Sequence, residues 1–360
     1  LLSVARLLLT GHICSEALPP MGGKRFLSIR KVLRFLSLYA ALGFRTSSDR
    51  ETAMITQAKA DTSTDISAVQ ERVDRVFAAQ GANRIAVGNS TASERIKKLK
   101  TMLRWIEGNR EKIYRALHDD FQKPQSETDL TEIYYVTTEI KHSIRHLRDW
   151  MRPKPVSSTL PFLSTRAELQ YEAKGQVLII APWNFPFNLT IGPLVSAIAA
   201  GNVVCVKPSE YTPHTTALIR DMLAELFDEN EVAVFEGAVE VSQALLAKPF
   251  HHIFFTGSPQ VGKIIMKAAA EHLATVTLEL GGKSPVIVDE SANISDAAAK
   301  VAWGKWTNNG QTCIAPDYLM VHEKKYDEFL SKLKGNVEKY YGATEEARQA
   351  LGKPLNVIEG

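Results

Sequence analysis

The sequence predicts an α/β protein built on a parallel sheet with helices on both faces, preceded by a helical stretch. Three observations carry this. From residue 168 onward, short apolar runs alternate with stretches of helical periodicity, the pattern of strand–helix–strand units. Residues 66–150 have helical periodicity alone. The 360 residues suffice for two domains at roughly 100–200 residues each. Taken in order, residues 1–53 stand apart. Lys24, Arg25, Arg30, Lys31, Arg34 and Arg45 occur there among apolar residues with no acid between them. Such a segment is either a targeting peptide or the product of start-site choice, with Met54 as the true first residue, and it is left out of the fold. Thr91 and Glu94 form a T-x-x-E capping box. Ile96, Leu99, Leu103, Ile106, Ile113 and Leu117 follow at helical spacing. Lys123-Pro124 breaks the pattern. A second helix carries Leu130, Ile133, Ile140, Ile144 and Leu147 on one face, and Pro153 to Thr165 reads as a loop. The strand candidates are then Val177 to Ile180, Val203 to Val206, Val232 to Phe235, Ile253 to Phe255, Val276 to Leu280 and Val286 to Val288. The helix candidates between them are Leu189 to Ala200, Pro213 to Phe227, Val239 to Ala247 and Pro259 to Leu273.

Composition narrows the function. A net charge of +3 gives no footprint for a nucleic-acid partner. No uncharged apolar run reaches the roughly 18 residues of a membrane span. The three cysteines, Cys14, Cys205 and Cys313, are odd in number and far apart, which argues against a disulfide framework and for a reducing, cytoplasmic setting; membrane association of the N-terminal segment stays open. His142 and His146 share a helix face, but no HExxH pattern surrounds them, and a solvated face is the expectation, with no metal site.

In parallel sheets, ligands bind at the carboxyl ends of strands, so the chemistry should sit in the turns after them. Pro182-Trp183-Asn184-Phe185-Pro186 follows the first strand. Asn184, stiffened by two prolines, can donate to a developing oxyanion, or it can serve a plain turn through its tolerance of unusual dihedrals. Lys207-Pro208-Ser209-Glu210 follows the second strand. Lys207 and Glu210 can hold a nucleotide ribose, or the segment is a surface turn with Ser209 or Thr212 near the next N-cap. After the fourth strand, Gly257-Ser258-Pro259-Gln260-Val261-Gly262-Lys263-Ile264 nearly matches a phosphate loop. Ile264 stands where a magnesium-binding hydroxyl is required, which rules out ATP hydrolysis. A strand, a small-residue turn and a helix N-terminus still attract a pyrophosphate. In Leu278-Glu279-Leu280-Gly281-Gly282-Lys283 an acid lies inside an apolar run, where a carboxylate is poised as a general base or is a paired core group. Cys313 closes the turn Asn308-Asn309-Gly310-Gln311-Thr312, whereas Cys205 lies inside a strand and reads as core filler.

Singly weak, these motifs in this order and spacing resemble the aldehyde dehydrogenase superfamily from about Ser67 to Tyr341. Asn184 to Ile191, Ala302 to Lys305 and Cys313 to Tyr318 are most similar to its class 3, or fatty aldehyde dehydrogenase, branch. The resemblance implies a Rossmann-like dinucleotide-binding domain with its helical N-terminal part (residues 54–280) and an incomplete α/β catalytic domain (residues 281–360). The family's glutamate-and-phenylalanine motif and its C-terminal dimerisation strand are not visible, which implies a C-terminally truncated chain; the full-length relatives imply a homodimer. By the same resemblance Cys313 attacks an aldehyde, Asn184 and the Cys313 amide stabilise the oxyanion, and Glu279 activates the hydrolytic water or helps deprotonate the thiol. NAD or NADP takes the hydride and contacts Trp183, Lys207, Ser209, Glu210, Gly257, Ser258, Gly262, Leu280 and Gly281. The alternatives are a dinucleotide-binding fragment that cannot turn over, and an acyl-CoA-forming oxidation on the same fold.

Overall fold

The computed structural model describes residues 66–344, apart from positions 158, 160, 162 and 163. The basic N-terminal segment, Cys14 and residues 345–360 lie outside the described residues. The helical part comes first, with α1 (Ile66–Gly88), α2 (Ala92–Gly108), α3 (Arg110–Phe121) and α4 (Tyr134–Trp150). The capping box is present: Thr91 Oγ1 accepts from the Glu94 amide at 3.3 Å, and the Glu94 carboxylate accepts from the Thr91 amide at 2.7 Å. Leu99, Ile106, Ile113 and Leu117 are buried as their spacing demands, although the helix is interrupted at Asn109, between α2 and α3. Ile133, Ile140 and Leu147 are buried, but Leu130 is 46% exposed. The reason is that Asp129–Ile133 form a π-helical turn, which holds an extra residue and puts the positions before it out of phase with those after. The expected loop from Pro153 is also corrected. Lys154–Val156 (β1) pairs antiparallel with Ala167–Leu169 (β2), and both strands are exposed throughout, so no apolar alternation marks them.

Five parallel strands form the main sheet: β3 (Gln176–Ile180), β4 (Val203–Lys207), β5 (Val232–Val234), β6 (His252–Gly257) and β7 (Thr275–Leu280), in the order β5-β4-β3-β6-β7. Helices α5 (Asn188–Ala199), α6 (Pro213–Leu226), α7 (Val239–Leu246) and α8 (Pro259–Ala270) connect them. Side chains alternate between faces along a strand, and the core divides accordingly. Val177, Ile179, Val204 and Val206 pack with α2 to α6, while Leu178, Ile180 and Cys205 pack with Val73 and Val76 of α1 and with α7 and α8. The chain lays β4 and β5 on one side of β3 and β6 and β7 on the other, so the strand order reverses between β3 and β6. The crevice outside the carboxyl ends at such a switch is where open α/β sheets bind ligands.

A separate two-stranded parallel sheet follows, β8 (Ser284–Val288) beside β9 (Pro316–Val321), with α9 (Ile294–Trp306) between them and α10 (Tyr326–Tyr341) after. It has its own small core of Val288, Ile294, Ala298, Val301, Ala302, Val321, Phe329 and Leu333. No helix among the described residues is long and apolar enough to cross a membrane.

Candidate active site

Three turns converge beside the strand-order reversal. After β3 the chain runs through Pro182 to Phe187 into α5. There Asn184 Nδ2 donates to the Gln311 carbonyl at 2.9 Å, and the Asn184 carbonyl accepts from Asn308 Nδ2 at 2.8 Å. A carboxamide nitrogen carries two hydrogens, and Gln311 takes one. On the other side of this contact, Asn308, Asn309 and Gly310 have φ of 50°, 55° and 75°. Asn and Gly visit the left-handed region routinely, so Asn-Asn-Gly lets the chain reverse after α9. Ala315 N then donates to the Thr312 carbonyl at 3.1 Å, closing a tight turn with Cys313 exposed at its corner. The third turn follows β7: a Cβ on Gly282 would stand 2.5 Å from the Cys313 carbonyl oxygen. Glycine there allows the end of β7 to lie against the backbone that bears the thiol.

Glu279 enters differently from the sequence expectation of an apolar setting. Among the described residues β7 has a neighbour on one side only, and Glu279 is exposed. Cys205 is the opposite case: buried, with its Sγ 3.3 Å from Gln80 Oε1, and its thiol pushed well up by burial.

At the end of β4, Lys207 is buried and donates to Glu210 Oε2 at 2.6 Å. Ser209 is buried within the turn, its carbonyl accepting from Thr216 Oγ1 at 2.9 Å. Thr212 stands at the N-cap of α6, but its side chain makes no capping bond. Asp120 of α3 supplies one from outside the segment, accepting from the His214 and Thr215 amides at 3.1 and 2.8 Å. Burial raises its carboxyl above the usual range, and the hydrogen bonds from Thr215 and the His214 amide oppose that. At the end of β6, Ser258 is the N-cap of α8, its hydroxyl accepting from Val261 N at 3.3 Å. A Cβ on Gly257 would come within 2.4 Å of the Phe255 ring. Gly262 is buried against Leu280, where a Cβ would meet the leucine side chain at 2.8 Å, so its small size brings α8 close to β7. Gly281 has open space around it. Trp183 is half-buried against the main core. On α4, the rings of His142, His146 and Trp150 pack along one face. Among the described residues no group of three His, Cys, Asp or Glu could hold a metal.

The aldehyde dehydrogenase family pattern matches residues 44–352. This chain belongs to the aldehyde dehydrogenase family. Among curated relatives, it is 43% identical over 268 residues to 4,4'-diaponeurosporen-aldehyde dehydrogenase of Staphylococcus aureus, covering 74% of this chain and 58% of that protein. It is 41% identical over 262 residues to the mouse protein named aldehyde dehydrogenase, dimeric NADP-preferring, covering 73% and 58%. The substrate-bound structure of Staphylococcus aureus AldH aligns with a TM-score of 0.76 at 39% identity, covering 80% of this chain and 62% of that one. The aldehyde dehydrogenase chain thus spans about three fifths of the length of the curated relatives it matches.

Three residues of this site are not evident from the sequence. Local pattern marks Asn308 only as part of a turn, although its side chain bridges to Asn184. Gly282 lies outside the expected site residues, although it touches the Cys313 backbone. Thr256 carries a buried hydroxyl with no hydrogen-bond partner, at the very end of β6. The paired glycines after Glu279 were the available signal for Gly282; nothing local signals the other two.

Proposed function

We propose that this chain oxidises an aldehyde to a carboxylic acid through a Cys313 thioester, with NAD or NADP as hydride acceptor. The observation that carries the reading is the junction of the Asn184 and Cys313 turns through the 2.9 Å bond from Asn184 Nδ2 to Gln311, with Gly282 against the Cys313 carbonyl. Cys313, as thiolate, forms the C–S bond to the carbonyl carbon, and the oxygen becomes an oxyanion. The second Asn184 N–H and the Cys313 amide stabilise that charge. A bound dinucleotide would supply the hydride acceptor for this carbon, and the acyl group would stay on Cys313 as a thioester. Glu279, exposed and free to swing, takes a proton from water; the hydroxide adds to the thioester, the C–S bond breaks, and acid and thiolate are released.

The residues fit a dinucleotide. The strand order reverses at β3 and β6, the N-terminus of α8 follows a glycine and a serine, and the Thr256 hydroxyl is buried there without a partner. Lys207 and Glu210 would hold the adenosine ribose, Ser209 and Trp183 would support it, and Gly257 and Ser258 would meet the pyrophosphate, with Leu280 and Gly281 alongside. On this reading residues 54–280 bind the dinucleotide, residues 281–360 belong to the catalytic domain, and the full-length family member pairs as a homodimer; the mouse relative is named dimeric.

The test is NAD(P)H formation with benzaldehyde or a medium-chain aldehyde, compared with Cys313→Ala. Aldehyde-dependent reduction that vanishes in the variant supports the reading, and equal rates overturn it. A second reading is dinucleotide binding without turnover. It is favoured by Ile314, beside Cys313, being 77% exposed, since a site closed from bulk solvent stabilises an oxyanion better than an open one. NADH binding followed by fluorescence, in a chain that forms no NADH, would select it.

A further inference from the structure

We infer that Glu127 and Glu132 are positioning residues that clamp the Asn184 and Cys313 turns at a fixed separation; the inference rests on the roles given to those two turns under the proposed function. Both carboxylates belong to the short segment Gln125–Ile133, and each grips the backbone of one turn. Glu132 is fully buried. Its Oε2 accepts from the Asn188 amide at 2.8 Å, the Phe187 amide bonds to the same carboxylate, and its Oε1 accepts from Lys123 Nζ at 2.7 Å. Asn188 Nδ2 adds a bond to the Thr131 carbonyl at 3.0 Å. Helix α5 has no side-chain cap of its own, so Glu132 supplies from another segment the anion that a helix N-terminus favours. The same contacts fix the downstream end of the Asn184 turn, and Lys123 lies 4.9 Å from the Phe185 ring centroid within it.

Glu127 acts on the other turn. Its Oε1 accepts from the Asn308 amide at 2.5 Å. Asn308 is fully buried and left-handed, and its side chain bridges to the Asn184 carbonyl. The contacts therefore close a ring: Glu127 to Asn308, Asn308 to Asn184, the turn to Asn188, Asn188 to Glu132, and the segment back to Glu127. Residues five apart in an ideal α-helix diverge by about 140°, which would turn one carboxylate away from the seam. The π-helical turn at Asp129–Ile133 is wider, and lets both face it. Such turns recur at functional sites. Two clamps on one segment fix where the donor stands relative to the nucleophile, and misplacement by about 1 Å costs on the order of 100-fold in rate.

The test is amide hydrogen exchange on the intact chain, with turnover alongside. Glu127→Ala is expected to speed exchange about tenfold in peptides covering 306–312 and 183–187, and to leave residues 203–207 of β4 unchanged. Glu127→Gln, whose amide oxygen still accepts from Asn308, restores most of the protection. In turnover, Glu127→Ala lowers kcat about tenfold with both KM values within about twofold. Because Glu132→Leu alone leaves Lys123 buried without its partner, the Lys123→Met/Glu132→Leu pair is the second variant. It is expected to loosen 183–190 and spare 306–312. Acceleration confined to 125–133, or spread evenly through the sheet, overturns the clamp. A wild-type chain that forms no NADH sinks the proposed function, while the exchange pattern still decides the clamp.

Discussion

In the main sheet every residue of β3 and β4 is buried, whereas in the β8–β9 pair only Val288 and Val321 are. Helices cover both faces of the first sheet. The second is covered by α9 and α10, and Ile287 and Tyr318 face outward. The Asn184 turn thus stands on a packed scaffold, with Phe187 fully buried beneath it. The Cys313 turn stands on a thin one, held through the polar bonds of Asn308 and the close contact at Gly282. One half of the site is placed by packing, the other by tethering.

The largest test of that contrast compares one apolar truncation in each half. Phe187→Ala is expected to cost about 3–5 kcal/mol, and Ile287→Ala to stay within about 0.5 kcal/mol, both by denaturant unfolding of the intact chain. A comparable loss at Ile287 would break the distinction. Next comes the tether. Gly282→Ala puts a methyl against the Cys313 carbonyl, and since the obstacle is backbone, the turn itself must move. About 1–3 kcal/mol of strain is expected, with Cys313-dependent turnover falling more steeply than unfolding free energy. Turnover at the wild-type rate would mean that the thiol is placed by something else. Asp120→Ala, which removes the cap of α6 on the packed side, should cost about 1 kcal/mol and leave the rate per folded molecule alone.

The same contrast separates what was legible in the sequence from what was not. β3 to β7 and α5 to α8 declared themselves through local periodicity and turn residues, and the observed bounds fall close to those read from pattern. The exposed β1–β2 hairpin has no apolar face and so left no pattern. The π-helical turn is a change of hydrogen-bond register with no side-chain signature, and Leu130 was misplaced for that reason. Within the site, Asn184 and Cys313 were visible as unusual residues in unusual turns, but the bridge between Asn308 and Asn184 joins positions 124 apart, and only the fold brings them together. The exposure of Glu279 depends on what covers its face of β7, a property of packing and not of the run Leu278-Glu279-Leu280.

The smallest effect lies on the polar trim of the packed half. Helix α1 covers one sheet face with Val73 and Val76 and is tied at its surface by Glu229, which lies 2.7 Å from Arg72 and 3.0 Å from Arg75. The hydrogen bond from Arg72 holds the Glu229 carboxyl below its ordinary 4.5; burial opposes this, and the weaker effect of the Arg75 hydrogen bond lowers it further. With the folded value depressed, the folded chain releases this proton more readily than the unfolded chain, so stability rises with pH across the interval. The contribution is fully present above the ordinary glutamate value and is lost as pH falls through the depressed one. Because the side chain is 45% exposed, solvent screening limits it to at most about 1 kcal/mol. Wild type should therefore exceed Glu229→Gln in Tm at pH 6, converge with it as pH falls through the depressed value, and lose the advantage in high salt. A gap that widened on acidification, or that salt left untouched, would mean that α1 is held there by packing alone, and that even the margin of this half owes nothing to charge.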